Sequence, residues 1–387
     1  MAKTQPREMV NKTIIKLDLV SAQNSTWARL VRVTKSENVG SAYLFSGPPG
    51  AGKEYLAIKF AQLMNCSNTN DQVCNICPSC VRFKQLQHEK LKIIVPLPAP
   101  KKKTKDSGSK TALVLDEYVQ GVSKKAKDLL YKIQIPKANR ILIQSIRELR
   151  RSLYLKHDSI GRNIVLIFDA HLLSSGQAEA ANALLKVLEE PPENTTLVLV
   201  TDHKELMLQT ILSRCQKVDI PCLPNDFILE WLIDNNLDIE DAKFVAGLSR
   251  GNIHQARSLS CHPVEEIINL IRSLVQTVIS QDPDKWRMFT QTYGKLAGQN
   301  PAEFKYHFGL MTLWFWGAYQ LRKGVDVGLK ETSIQSDLMS FNESFPHADL
   351  MAVSLCLEDT LVSIPQNLYM PLILTNLLLD IQKYLRE

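Results

Sequence analysis

The sequence has no apolar run that approaches the roughly 18 residues needed to span a bilayer. Its N-terminal stretch MAKTQPREMVNKTIIKLDLV is mixed and has no continuous apolar segment of the kind that a secretory signal requires. These absences predict a soluble, cytoplasmic protein that has no membrane partner. With 387 residues, 45% of them hydrophobic, the chain is long enough for two or three domains.

The sequence also lacks a general excess of one charge. The formal net charge is +6, but residues 101–140 alone hold eleven Lys and Arg against four Asp and Glu. The basic character therefore belongs to one segment, which either contacts phosphate groups or forms a solvated loop. We define residues 96–140 as the basic insert. Its Pro-, Lys-, Ser- and Gly-rich beginning is expected to be mobile, and its second half is expected to form a helix, alone or after a strand.

Strand and helix patterns alternate in the first part of the chain. The apolar runs AYLFSG, NIVLIFDA and TTLVLVTD are typical of buried strands, and GQAEAANALLKVLEE, before the third run, is typical of a helix that ends at a Pro-Pro pair. Strand, helix and strand at this spacing predict a parallel α/β sheet. Beyond residue 227 the strand signals fade, and only helices are predicted.

A phosphate-binding loop is indicated between the first predicted strand and the helix that follows it. Gly47, Gly50, Gly52 and Lys53 satisfy the pattern G-x-x-x-x-G-K, in which backbone N–H groups surround phosphate oxygens and the lysine reaches the β- and γ-phosphates. The next residue is Glu54, where such loops carry a hydroxyl for Mg²⁺. A carboxylate there weakens nucleotide binding, binds Mg²⁺ itself, or points into solvent.

Four of the eight cysteines lie within fifteen residues. Cys66, Cys74, Cys77 and Cys80 have the spacing C-x7-C-x2-C-x2-C, which lets four thiolates converge on one ion. In a reducing compartment this clustering indicates a metal rather than disulfides. A structural Zn²⁺ site with no open position is predicted, and an iron–sulfur cluster or buried free cysteines are the alternatives.

The second predicted strand ends in a single acidic residue. An ATPase with a phosphate loop needs one carboxylate for Mg²⁺ and another to activate water, but Asp169 is flanked by Phe168 and Ala170. Asp169 is therefore either a magnesium residue or a plain cap of the strand. After the third strand, Arg214 in the sequence TILSRCQ is uninformative when taken alone.

Two further stretches, NALLKVLEEPPENTTLVLVT and TILSRCQ, follow the phosphate loop and the cysteines in order. With these motifs the chain resembles bacterial DNA polymerase III clamp-loader subunits of the delta prime and gamma/tau group. The resemblance covers about residues 40–223 apart from the insert. It implies an α/β AAA+ P-loop module with a zinc knuckle, followed by a small helical lid and an all-α collar. The implied ranges are 1–222 for the module, with the knuckle at 66–80 and the insert at 96–140, 223–262 for the lid and 263–387 for the collar.

The resemblance also assigns roles to individual residues. Lys53 and the glycines before it are implied to form the nucleotide loop, and Thr201 matches the polar sensor of the γ-phosphate. Arg214 matches an arginine finger that acts in trans on the ATP site of the neighbouring subunit, where a planar, permanently charged guanidinium stabilises the transition state. His254 stands where the lid usually presents a second sensor arginine.

Three positions thus differ from the residue pattern of a hydrolysing subunit: Glu54, Asp169 and His254. Arg214, in contrast, matches the family's pattern. This pattern predicts a non-hydrolysing subunit of delta prime type in which binding of ATP or ADP is doubtful. The implied partners are gamma/tau and delta type subunits of a hetero-pentamer. That ring loads the sliding clamp onto primed DNA during replication.

Two other hypotheses stay open at this point. The chain is alternatively an active gamma/tau-like ATPase, or a zinc-containing nucleic-acid-binding protein that acts through the basic insert. A further patch of arginines, in the sequence IQSIRELRRSL, is predicted either to contact duplex phosphates inside the ring or to form a solvated helix face: Arg147, Arg150 and Arg151.

Overall fold

The computed structural model describes residues 18–36, 39–68, 72–98, 107–154, 161–325, 333–364 and 368–386. The chain divides into two compact units, one formed by Lys16–Pro224 with Gly251–His254 and the other by Asn225–Arg250 with Gln255–Glu387. Residues 99–106, in the expected mobile beginning of the insert, lie outside the described residues. The division of the C-terminal part into a lid and a collar stays a prediction.

The first unit alternates strands and helices. In chain order its elements are α1 (Leu19–Ala22), α2 (Asn24–Lys35), β1 (Ala42–Ser46), α3 (Lys53–Met64), α4 (Pro78–Lys84), β2 (Leu91–Ile94), α5 (Ser107–Lys127), α6 (Ile143–Tyr154), β3 (Asn163–Ile167), α7 (Glu179–Glu189), β4 (Thr195–Thr201), α8 (Gln209–Leu212) and β5 (Gln216–Asp219). Short 3₁₀ turns follow β3 and β4, at Ala170–Ser174 and Lys204–Leu206.

The five strands form one parallel sheet in the order β2-β3-β4-β1-β5. The parallel α/β sheet predicted from the sequence is confirmed. Strand β1 lies between β4 and β5, so that Ser46 at its end is level with Thr201 on one side and Asp219 on the other. Strands β2 and β5 were not predicted, because each has only four residues and carries too short an apolar pattern.

Each face of the sheet packs against its own hydrophobic core, because successive side chains of a strand point to opposite sides of the sheet. On one face Tyr43 and Phe45 pack with Phe60 of α3, with ring centroids 5.3 and 5.9 Å apart. On the other face Leu44 belongs to a cluster with the buried side of α6 and α7. The sheet is therefore covered on both sides, which explains why its strands are apolar without alternation.

The second unit contains only helices within its described residues. They are α9 (Asn225–Asp234), α10 (Ile239–Ser249), α11 (Ile253–Leu259, which begins in the first unit's segment), α12 (Val264–Ile279), α13 (Pro283–Gln299), α14 (Pro301–Arg322), α15 (Ser333–Ser344), α16 (Leu350–Ser363) and α17 (Met370–Arg386). Helix α14 packs against α12, α13, α15 and α16, and it buries Phe304, Phe308 and Phe315. Among the helices of the described residues, none has the length and apolar character needed to cross a bilayer.

Candidate functional site

The predicted nucleotide residues meet at the carboxyl edge of the sheet. The loop of Gly47 to Gly52 follows β1, Asp169 follows the end of β3, and Thr201 is the last residue of β4. Since all strands are parallel, these three positions share the edge at which open α/β sheets bind their ligands. The structure thus brings together the residues that the sequence singled out for nucleotide chemistry.

Glycine is required in this loop by backbone conformation and by space. Gly50 has φ of +71°, and a Cβ atom there would lie 1.8 Å from Oδ1 of Asn252. The N–H of Ile253 also donates to the carbonyl oxygen of Gly50 at 3.2 Å. At Gly47 an added Cβ would lie 2.0 Å from the carbonyl oxygen of Ile220. The loop is therefore closely packed by segment Gly251–His254 and by the end of β5.

Lys53 is buried, and its ammonium group is held by groups of the chain itself. Nζ donates to the carbonyl oxygens of Gly47, at 2.9 Å, and Pro48, and it lies 2.6 Å from Oδ1 of Asp202. Burial would raise the pKa of Asp202, but the ammonium groups of Lys132 and Lys53 lower it. The carboxylate that engages Lys53 is thus an ionised aspartate that the sequence did not single out.

Glu54 points neither into solvent nor toward an open cation site. Its Oε2 forms an ion pair with Nζ of Lys125, which comes from α5 in the basic insert and is 1% exposed. Burial alone would raise the pKa of Glu54, but Lys125 and then Lys132 outweigh it and lower the pKa. The carboxylate at the unusual loop position is therefore ionised and paired inside the protein.

Asp169 is engaged in the same way. Its Oδ1 accepts a hydrogen bond of 2.9 Å from Nζ of Lys132, and the same ammonium group lies 3.4 Å from Oδ2 of Asp202. Burial would lower the pKa of Lys132, but Asp169, Asp202 and Glu54 outweigh that effect and raise it. Lys132 also belongs to the basic insert, so this segment supplies two cations to the pocket.

The two remaining predicted positions are polar but differ in their surroundings. The hydroxyl of Thr201 is buried and lies 3.1 Å from Nδ1 of His171 and 3.0 Å from the N–H of His203. Burial lowers the pKa of His254 to about 4, although the charge of Glu54 acts in the opposite direction. His254 is therefore neutral near pH 7 and does not supply the charge of a sensor arginine.

Taken together, the carboxylates of this pocket are matched by lysines of the same unit. Glu54 is paired with Lys125, Asp169 with Lys132, and Asp202 with both Lys53 and Lys132. A Mg²⁺-nucleotide needs the loop lysine for its phosphates and oxygen ligands for its metal. Both are already engaged here, so the arrangement does not fit a Mg²⁺-nucleotide.

The four predicted cysteines form one cluster. Their sulfur atoms all lie within 4.8 Å of one another. Four thiolates at about 2.3 Å from one zinc ion lie about 3.8 Å apart, and Cys74 Sγ is 3.7 Å from Cys80 Sγ. Burial would raise the pKa of Cys77, but the backbone N–H groups of Ser67 and Cys80 lower it to about 6. The donor set therefore fits a metal ion with four thiolate ligands.

Arg214 lies at the other edge of the sheet. It precedes β5, whereas the phosphate loop follows β1, and the four residues of β5 span about 13 Å. Its side chain is 36% exposed, and its guanidinium donates to the carbonyl oxygen of Thr210 at 2.9 Å and to Glu189 at 2.7 Å. Arg214 is therefore positioned away from this chain's own loop and open to solvent.

The arginines predicted to contact DNA share one face of α6. Arg147, Arg150 and Arg151 are exposed, at the i, i+3 and i+4 spacing of neighbours on a helix surface. The adjoining face of α6 buries Ile146 and Leu149 against the sheet. The helix thus presents a short positively charged surface on the first unit.

Three functional residues of the pocket escaped the sequence patterns: Asp202, Lys125 and Lys132. Asp202 follows the last residue of β4, so the rule that ligands gather at the carboxyl ends of parallel strands would have found it. The two lysines belong to a charge-rich segment in which inward and outward side chains carry no distinguishing pattern. Only the packing of the insert separates them from their exposed neighbours.

Comparison with protein families gives one match over the first unit. A family model described as DNA polymerase III, delta subunit, matches residues 22–224, which is slightly more than half of the chain. The match covers the sheet, the phosphate loop, the cysteine cluster and Arg214.

Curated relatives match a similar region. The chain is 28% identical over 225 residues to DNA polymerase III subunit tau of Bacillus subtilis (strain 168), covering 56% of this chain and 32% of that protein. It is 27% identical over 226 residues to subunit delta' of the same organism, covering 58% of this chain and 55% of that protein. The matches therefore span about a third of the first relative and about half of the second.

A solved structure of a gamma subunit-related protein from Thermotoga maritima aligns over 93% of this chain and 100% of that chain. The identity is 18% and the TM-score 0.39. A TM-score this low supports no further conclusion.

Proposed function

The chain belongs to the family described as DNA polymerase III, delta subunit, and from this membership we propose that it is a non-hydrolysing clamp-loader subunit of delta prime type. In this proposal it forms part of an AAA+ ring with gamma/tau and delta type subunits, which places the sliding clamp on primed DNA. Its chemical contribution is Arg214, which acts as an arginine finger on the ATP bound by a neighbouring subunit.

The position of Arg214 is the observation that carries this proposal. The side chain lies at the amino edge of the sheet, the phosphate loop at the carboxyl edge, and the guanidinium is partly exposed. An arginine so placed cannot reach phosphates at its own loop, but it is open to a neighbour. Its pair with Glu189 is solvent-exposed on both sides, and such pairs contribute only about 0–1 kcal/mol, so a stronger anionic partner can displace it.

The pocket at the carboxyl edge supports the absence of hydrolysis. A single carboxylate follows β3, and it is neutralised by Lys132 rather than left open for a metal or a water molecule. The residue after the loop lysine is a carboxylate bound to Lys125 instead of a hydroxyl. With Glu54, Asp169 and Asp202 engaged by lysines, none of these three carboxylates is in position to activate water against a γ-phosphate.

The cysteine cluster is proposed to hold a structural zinc ion. Cys66, Cys74, Cys77 and Cys80 would fill its tetrahedral coordination, leaving no position for a substrate, so the ion would stabilise the turn between α3 and α4. The arginine face of α6 is proposed to contact phosphates of the primed duplex. Such contacts position a protein on DNA without reading its sequence.

The experiment is a reconstituted ring with ATP-hydrolysing gamma/tau and delta type subunits. Arg214→Ala should leave assembly intact on size exclusion and lower DNA-stimulated ATP hydrolysis at the affected site by about 10³-fold. Arg214→Lys should recover little, because an ammonium group lacks the planar fork of donors. Arg32→Ala, which removes another exposed arginine of the same unit, is the matched control and should leave the rate unchanged.

Two results would contradict the proposal. One is full ATPase activity of the ring that contains Arg214→Ala. The other is steady ATP hydrolysis by the isolated chain that is lost on Lys53→Ala, because this would favour an active gamma/tau-like subunit.

A further inference from the structure

We infer that the second half of the basic insert, residues 107–140, is the permanent occupant of this chain's phosphate-loop pocket. Lys125 and Lys132 place their ammonium groups on the carboxylates that surround the loop, and in this way the insert keeps Mg²⁺-nucleotide out. The inference deepens the proposed function and rests on it for the degenerate state of the loop. It gives the insert a role inside the protein rather than on a nucleic acid.

Lys125 occupies a site built for one ammonium group. Its Nζ donates to Oε2 of Glu54 and to the carbonyl oxygens of Leu129, at 3.2 Å, and Tyr131, at 2.8 Å. An ammonium group has three hydrogens to donate, so these acceptors satisfy it completely. Nζ also lies 5.2 Å from the ring centroid of Phe168, within cation–π range. A lysine buried in this way is part of the folded structure and not a surface charge.

Lys132 bridges the two strand ends at the centre of the pocket. Its ammonium group joins Asp169, after β3, to Asp202, after β4. Asp202 in turn holds Lys53 of the loop. The pocket therefore contains a connected network in which lysines match carboxylates, and charge is balanced without a metal ion or phosphate.

The insert is fixed to the sheet at several points, so these lysines are not carried by a loose loop. Its two ends meet where the N–H of Leu97 donates to the carbonyl oxygen of Arg140 at 2.9 Å. The hydroxyl of Tyr118 in α5 donates to the carbonyl oxygen of Ile93 in β2 at 3.0 Å. Beyond α5, the buried Ile133 joins the core cluster on the same face of the sheet as Phe60 and Phe45.

Binding of a nucleotide would require this network to be broken. A triphosphate needs Lys53, which would have to leave Asp202 and two backbone carbonyls, and Mg²⁺ would compete with Lys132 for Asp169. Displaced lysines leave buried carboxylates without partners, and an unpaired buried charge is strongly unfavourable. The insert thus acts as an intramolecular competitor whose effective concentration is set by its attachment to β2 and α6.

The first experiment measures binding of a fluorescent ATP analogue with Mg²⁺ to the full-length chain by anisotropy. The wild-type protein and Lys53→Ala should give the same signal up to about 1 mM analogue, which is the weak end of specific binding. Saturable binding to the wild type that Lys53→Ala abolishes would overturn the inference.

A second experiment uses the unmodified protein and depends on no variant. The native full-length chain is treated briefly with a small amine-acylating reagent, and modified lysines are quantified by mass spectrometry. Lys125 should react at least about tenfold more slowly than the exposed Lys127 at the end of the same helix, because a buried amine reacts only after local opening. Equal reactivity of Lys125 and Lys127 would overturn the inference.

A third experiment removes the occupant. Glu54→Thr restores the loop hydroxyl while both insert lysines remain, and it should bind no analogue. The triple variant Glu54→Thr/Lys125→Ala/Lys132→Ala should gain saturable binding with a Kd at least about tenfold below the 1 mM at which Glu54→Thr shows none, because Asp169 and the loop hydroxyl become available to Mg²⁺. If the folded triple variant, checked by circular dichroism, gains nothing, the insert is not what excludes nucleotide. If it does not fold, the lysine-labelling experiment decides.

These experiments separate this inference from the proposed function. The binding and labelling measurements concern the pocket of the isolated chain, whereas the Arg214 variants concern hydrolysis by a neighbour in the ring. If the wild type binds the analogue and the Arg214→Ala ring is defective, the insert is not the occupant of the pocket but Arg214 still acts as the finger. If the wild type does not bind the analogue and the Arg214→Ala ring is unaffected, the insert is retained as the occupant and the finger is rejected.

Discussion

The two edges of the central sheet differ in how their charged residues are partnered. At the carboxyl edge, Lys53, Lys125 and Lys132 are held by carboxylates of the same unit, and their pocket is largely buried. At the amino edge, Arg214 has one exposed ion pair and is open to solvent. The same sheet thus has a pocket whose charges are paired within the unit at one edge, the closed edge, and a solvent-exposed cation at the other, the open edge.

In the proposed function, this difference separates a pocket that no longer supports hydrolysis from an arginine that serves a neighbouring subunit. Arg214 lies at the other edge, so a substitution in the pocket is expected to leave its position unaltered. The physical basis is the parallel direction of all five strands, which separates the two edges by the length of a strand.

The largest change in the free energy of unfolding is expected at the cysteine cluster, which belongs to neither of these two charged sites. A substitution there tests whether the stability of the whole unit depends on that cluster. Cys77→Ser should abolish zinc binding at the cluster and lower the free energy of unfolding by about 4–5 kcal/mol, because metal binding contributes directly to folding. Zinc content by atomic absorption and urea denaturation measure both quantities. Exposed Cys222→Ser is the matched control. Unchanged metal content and stability in Cys77→Ser would show that the cluster is not a structural site.

The comparison is tested next at the closed edge. Lys125→Met should lower the free energy of unfolding by about 3 kcal/mol, because it leaves the carboxylate of Glu54 buried without its partner. The double variant Glu54→Leu/Lys125→Met should recover most of this loss, since it removes both charges together. Urea denaturation measures the change, and Lys127→Met in the same helix should be nearly neutral. If Lys125→Met lowers the free energy of unfolding no more than Lys127→Met does, Lys125 is a surface residue.

Acid should destabilise the closed edge in two stages. His254 has a folded-state pKa of about 4, below its ordinary value of 6.5, so the unfolded chain binds its proton first and stability falls as the pH drops from 6.5 to 4. The pKa of Glu54 and that of Asp202 are also lowered, so their contribution is lost below about pH 4.5 as these carboxyls are protonated.

His254→Gln should therefore reduce the fall in stability between pH 6.5 and 4 and leave the fall below about pH 4.5 unchanged. Part of the upper stage should persist, since burial also lowers the pKa of His171. The measurement is the urea midpoint at a series of pH values. If the urea midpoint of His254→Gln falls between pH 6.5 and 4 as steeply as that of the wild type, His254 does not cause this loss of stability.

The smallest effect is expected at the open edge. Glu189→Ala should change the free energy of unfolding by less than about 0.5 kcal/mol, because its pair with Arg214 is exposed. The ATPase rate of the reconstituted ring should be unchanged or slightly raised, since the guanidinium loses a competing carboxylate. A loss of activity comparable to that of Arg214→Ala would mean that Glu189 positions the finger instead of merely holding it.

Local patterns predicted much of this fold. The apolar runs before Gly47 and around Val165 and Leu199 identified three of the sheet strands, because a strand buried on both faces needs apolar side chains throughout. The cysteine spacing predicted the cluster, since two C-x2-C steps bring thiolates together within one turn. Strands β2 and β5 were missed, because a strand of four residues carries too little apolar pattern to be recognised.

The insert shows where local patterns failed. Its lysines read as a solvated or DNA-binding segment, yet Lys125 is among the most completely buried side chains in the described residues. Nothing in the neighbouring residues distinguishes it from Lys124 and Lys127. The distinction comes from Glu54, which lies 71 positions earlier in the chain. A pairing between such distant positions leaves no local periodicity to detect.

The sequence by itself determined the parallel sheet, the phosphate-loop geometry, the convergence of four cysteines and the single carboxylate, Asp169, after the second predicted strand. These features depend on residues close together in the chain, where spacing dictates geometry. Only the tertiary structure decided that insert lysines neutralise the pocket and that Arg214 lies at the opposite edge. Both depend on electrostatic attraction and burial between distant segments, which act through space and become visible only once the sheet has assembled.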